Sequence, residues 1–100
     1  MSARRVVPAD DVQRLADLFQ QTAADHHTAF QATDGEDPDW PIWYADHLLA
    51  RGVEKLLDAT LLKSDLIYLL VLADKEQRRE APGSRWDRYY ADFFLSRYRR

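Results

Sequence analysis

The chain has 100 residues, enough for one domain with one core and too few for two. Hydrophobic residues make up 46% and charged residues 31%, a globular balance, and the absence of cysteine excludes disulfides, thiolate nucleophiles and Cys-based zinc sites. A net charge of −3 argues against bulk nucleic-acid binding.

With only 3 Gly and 4 Pro, turns are scarce and the elements must be long, which excludes a many-stranded sandwich or barrel. The expected fold is all-α: a compact four-helix antiparallel bundle forming a single domain over residues 1–100, with residues 1–8 as a flexible N-terminal tail. Arg4 and Arg5 are followed by no apolar stretch, so no signal peptide is expected. The longest strongly apolar run, Leu66 to Ala73, is far shorter than the roughly 20 residues of a membrane span. No contact with a membrane is expected, and the cytoplasm is the default location.

The first helix is predicted from Ala9 to Ala32. Pro8 suits a first turn, and Asp10 and Asp11 complement the positive end of the helix dipole. Val12, Leu15, Phe19, Thr22, His26 and Ala29 recur at spacings of three and four, with Phe30 on the same face, which marks an amphipathic seam. The segment Thr33 to Asp39 sets Gly35 and Pro38 among carboxylates and reads as a loop. Its glycine stands too early and its proline interrupts the ligand run of a calcium loop, so solvated carboxylates capping a helix explain it better.

A second helix is predicted from Asp39 or Trp40 to Leu57, with Asp39 as N-cap and Gly52 as a break. Ile42, Ala45, Leu49, Val53 and Leu56 form an aliphatic stripe, and Trp40, Trp43, Tyr44 and His47 lie roughly opposite. A surface helix would carry charge there. Three readings follow for the aromatic face: it is sandwiched inside the fold, it is a homodimer or partner interface, or it walls a ligand pocket.

A third helix is predicted from Asp65 to Glu80, capped by Ser64. Its first half is apolar all round and reads as the central, most buried segment, and its charged second half, Asp74 to Glu80, reads as projecting into water, with Asp74 either the exit to solvent or the partner of an Arg or a His at the core margin. Ala81, Pro82 and Gly83 end it. Ser84 then opens the last helix, with Asp87 in a capping-box position. Trp86, Tyr89, Tyr90, Phe93 and Arg97 line one face there. Arginines interleave with these aromatics, as in some single-strand nucleic-acid binders, but their periodicity sends the arginines to solvent.

The polar candidates are the histidines, His26, His27 and His47. Either they are core histidines with local partners, or His26 or His27 meets His47 between the first two helices through Asp25, Asp46 or a loop carboxylate. Asp25-His26 and Asp46-His47 are neighbours in the chain and do not face one another on a helix. His26, His47 and Asp46 form the weakest candidate, a metal set without a recognised ligand spacing. No glycine-rich phosphate loop or nucleophile elbow is present, so no catalytic residue can be named, and no cofactor is expected. The leading expectation is an interaction or accessory protein, a homodimer or the binder of a protein partner, that uses the aromatic helix face. The alternative is a small-molecule or metal site between the first two helices, centred on the histidines and walled by Trp40, Trp43 and Tyr44.

Overall fold

A computed structural model describes residues 9–99, and the expected tail at residues 1–8 lies outside them. Five helices follow in order: α1 (Ala9–Ala29), α2 (Trp40–Ala50), α3 (Val53–Leu57), α4 (Lys63–Glu80) and α5 (Trp86–Tyr98), with a 3-10 turn at Gln31–Thr33. No strand occurs among the described residues. The four long helices pack in a square, α1 on α2, α2 on α4, α4 on α5 and α5 on α1, so α2 and α5 stand diagonally opposite. The order is up, down, up, down, as the expected antiparallel bundle requires.

One core fills the square. Leu15, Ala16 and Phe19 of α1 meet Ala45 and Leu48 of α2, Leu66, Leu70 and Ala73 of α4, and Ala91, Phe94 and Leu95 of α5. Phe19 and Phe94 are its largest fully buried side chains, and the Phe19 ring touches Trp86, Tyr90 and Phe94.

Helix boundaries follow backbone conformation more closely than the expected caps. The first helix stops at Ala29 rather than Ala32, because the chain tightens into the 3-10 turn and then enters the left-handed region at Asp34 (φ 55°) and Gly35 (φ 84°). The second breaks at Gly52 (φ 86°), which leaves α3 as a separate turn and a half ending at left-handed Asp58. Ser64 lies inside α4, which starts at Lys63 after an extended Leu62. Ser84 and Asp87 form no capping box. The Ser84 hydroxyl donates to the Ala81 carbonyl, and Asp87 is held by Arg85.

One expected face is rotated in part. On α2, Ile42 is 45% exposed, while Ala45 and Leu48 point to the core and Trp40 and Tyr44 pack at its edge. The helix has turned its aromatic side inward, onto α1. On α1 the expected seam is buried from Val12 to His26, with Ala16 beside it, and only Ala29 at its end is exposed. Helix α4 is a corner of the square rather than its centre, and Tyr68 in its apolar half is 64% exposed. Its charged half projects into water through Lys75, Arg78, Arg79 and Glu80, but not on every side. Gln77 is buried there, the Tyr90 hydroxyl donates to Asp74 and the Tyr89 hydroxyl donates to Glu76. Tyrosines at the start of α5 thus give α4's carboxylates partners that a reading of one helix does not reveal.

Candidate functional site

The two ends of the bundle differ. At one end α3 packs across α1, α2 and α5, and Arg99 clasps Asp11 and the Leu56 carbonyl. At the other end the C-terminal turns of α1 and α4 meet the N-terminal turns of α2 and α5, and among the described residues no further helix lies across them. A cleft of about 510 Å³ opens there. Its walls are Trp40 and Tyr44 from α2, and Trp86 and Tyr90 from α5. His26 lines it from α1, Asp74, Gln77 and Arg78 from α4, and Gly35 and Asp37 from the acidic loop.

Each aromatic wall is a Trp and a Tyr four residues apart, so that both rings lie on one helix face. Trp40 and Tyr44 meet edge to face with centroids 5.1 Å apart at 78°. Trp86 and Tyr90 repeat the arrangement at 5.2 Å and 78°. Phe19 supports the second pair from the core.

The polar groups are fixed as well. Nε2 of His26 lies 3.0 Å from Oδ2 of Asp37, with both side chains largely buried. The carboxylate accepts, so the ring carries a proton on Nε2. Oδ1 of Asp37 accepts the Asp39 N–H and so serves the loop before α2, while the Asp39 side chain itself caps nothing. Asp74 accepts from the Tyr90 hydroxyl at 2.9 Å and from Arg78 at 3.3 Å, both at Oδ1. Gln77 donates to the Ala81 carbonyl at 3.0 Å and pins the turn between α4 and α5.

Burial, reinforced by the Asp74 charge, pushes the Tyr44 hydroxyl up to about 12. The Tyr90 hydroxyl is raised further by burial, then by the charge of Asp74 and its hydrogen bond. Both phenols therefore stay protonated at neutral pH. They can donate hydrogen bonds but cannot act as bases or nucleophiles. Among the described lining residues there is no serine, threonine or lysine, and the ionisable side chains besides the two phenols are His26, Asp37, Asp74 and Arg78.

The sequence candidates scatter around this cleft. His26, Trp40 and Tyr44 line it. Trp43 stands behind it, edge-on to His26 at 5.1 Å and stacked on His47 at 4.9 Å, and so separates the two imidazoles. His47 pairs across helices with Asp25, Nε2 to Oδ2 at 3.1 Å, off the line of a hydrogen bond, with Arg51 also beside that oxygen. Burial lowers the His47 pKa, helped by Arg51 and opposed by Asp25. His27 is exposed and rests against Gly35. Asp46 is 62% exposed and pairs with Lys63 at 2.7 Å, away from both His26 and His47. Among the described residues no group of three ligating side chains converges. The interleaved arginines of α5 mostly have partners within the chain: Arg85 with Asp87, Arg88 with Gln13, Arg97 over the Phe93 ring and Arg99 with Asp11.

Sequence reasoning did not single out Gln77, took Asp37 only as one carboxylate of the acidic loop, and placed Trp86 and Tyr90 only on a face; for Asp74 it offered an Arg partner, which Arg78 supplies, and missed Tyr90. One signal was available: the spacing Trp-x-x-x-Tyr occurs at Trp40–Tyr44 and again at Trp86–Tyr90.

No family profile, curated protein or solved structure matches the chain. No described helix is long and apolar enough to cross a membrane.

Proposed function

We propose that the protein binds a small organic molecule in the cleft at the open end of the bundle. One observation carries this reading: two Trp–Tyr pairs from diagonal helices and the buried His26–Asp37 pair line a single cleft of about 510 Å³. That volume lies in the usual range for ligand sites, about 300–1,000 Å³, and apolar walls with a few fixed polar groups are their usual lining. Saturation-transfer NMR against a fragment library tests it. Fragments should bind the wild type and lose affinity on Trp86→Ala, with helicity unchanged by circular dichroism. A library that binds neither protein, or both equally, would refute the site.

A second reading is a cytoplasmic accessory protein that forms a homodimer or binds a protein partner. With the aromatic face of α2 turned inward, its support is the exposure of Ile42 at 45%, Leu62 at 67% and Tyr68 at 64%. Light scattering at micromolar concentration separates the two readings. A dimer broken by Tyr68→Glu would favour association, and a monomer would leave the cleft as the functional feature.

A further inference from the structure

We propose that the cleft is an aromatic cage for an organic ammonium ion, with Asp74 as its counter-charge. This rests on the cleft being a binding site and adds the chemical class of its ligand.

The walls supply the first reason. An edge-to-face pair uses the edge of one ring, so that ring's own faces stay free of its partner. Ring faces carry the negative lobes of the aromatic quadrupole, and indole and phenol attract cations through them. The cleft has one such pair on α2 and a second on α5, with matching geometry, on opposite corners of the bundle.

Charge supplies the second reason. Among the described lining residues, Asp37 and Asp74 are the carboxylates and Arg78 is the one permanent cation. The Arg78 side chain is 75% exposed, so water screens it, whereas Asp74 is 22% exposed. The Asp74 charge reaches into both walls, since it helps to hold the Tyr44 and Tyr90 hydroxyls protonated. An anion would be repelled by this lining. A neutral apolar ligand would desolvate the carboxylates without compensation. A bare metal ion would need converging ligands, and no group of three converges among the described residues. A diffuse organic cation fits both the rings and the carboxylates.

The test compares choline with 3,3-dimethylbutan-1-ol, its uncharged carbon analogue of the same shape, by calorimetric titration of the full chain at low salt. Choline should bind about tenfold more tightly, a difference typical of desolvated cation–π contacts. Asp74→Asn should weaken choline severalfold more than the alcohol, so that the preference shrinks to the part the rings supply, and an undiminished preference would remove Asp74 as the counter-charge. Tyr90→Phe keeps the ring and the charge and should retain the preference, which controls for disturbance of the Asp74 environment. Equal affinities in the wild type would overturn the ammonium assignment and leave the cleft as a site for neutral ligands. Binding of neither probe at millimolar concentration would also overturn it, and the fragment library then decides whether the cleft binds anything.

Discussion

Nε2 of His26 lies 3.0 Å from Oδ2 of Asp37, and the two side chains are 8% and 10% exposed. The pair ties the last turn of α1 to the acidic loop and sets that loop along one side of the cleft. Replacing Asp37 with Ala strands a buried imidazole donor. The expected cost is about 1–3 kcal/mol of stability, read from urea denaturation. The loss should be accompanied by faster amide exchange across residues 34–39. A variant as stable as the wild type would mean that the pair contributes nothing net to the fold.

Phe19 joins core to cleft, since its ring supports both Trp86 and Tyr90. Phe19→Ala should cost about 3–5 kcal/mol, the usual figure for emptying a buried aromatic site. A domain with a total stability of about 5–15 kcal/mol would then be close to unfolding. The check is a shift in the urea midpoint, and a shift under 1 kcal/mol would contradict the packing described.

His47 makes stability depend on pH. Burial, with help from Arg51, holds its pKa below the ordinary value of 6.5, against the opposing pull of Asp25. Between the lowered folded value and 6.5 the unfolded chain binds more protons, so stability rises with pH in that window. The contribution is complete above about pH 6.5 and is lost as pH falls through the folded value. His47→Gln should therefore flatten part of the rise in melting temperature between pH 5 and pH 7. An unchanged slope in the variant would assign the rise to other groups.

Two left-handed glycines should respond differently to alanine. A Cβ at Gly52 (φ 86°) meets open space, so only backbone strain opposes it, about 1–2 kcal/mol. A Cβ at Gly35 (φ 84°) would also come within 2.7 Å of Nδ1 of His27. Gly35→Ala should destabilise more than Gly52→Ala, and adding His27→Ala should recover the excess. Equal costs with no recovery would show that His27 moves aside freely. This contact gives His27 a structural place beside the loop, unlike the polar-centre role its sequence position invited.

The fold was more legible than the site. Periodicity marked the helices because Val12, Leu15, Phe19 and Thr22 fall on one buried face of α1, and turn residues separated them at Gly35, Gly52 and Gly83. The rotation of α2 was not legible, because Leu48 and Tyr44 compete with Ile42 and Leu49 for the core and only the position of α1 decides between them. His26 was singled out as a polar group on an apolar face, and the structure gives it a loop carboxylate, one of the partners considered. That the carboxylate is Asp37 depends on the 3-10 turn and the left-handed pair Asp34–Gly35, which reverse the chain in a way spacing does not encode. Asp74 read as the exit to solvent or the partner of an Arg or a His; Arg78 is one turn away and legible, whereas Tyr90 lies 16 residues away on another helix and is not.

The three tryptophans allow the most direct test of the binding site, since their indole N–H signals are separately resolvable in a proton–nitrogen NMR spectrum. Trp40 and Trp86 line the cleft, and Trp43 stands behind it between His26 and His47. Titration with a fragment that binds should move the Trp40 and Trp86 signals together, with saturation, and leave Trp43 almost still. Movement of Trp43 alone, or binding that moves none of the three, would contradict the assignment of the cleft as the ligand site.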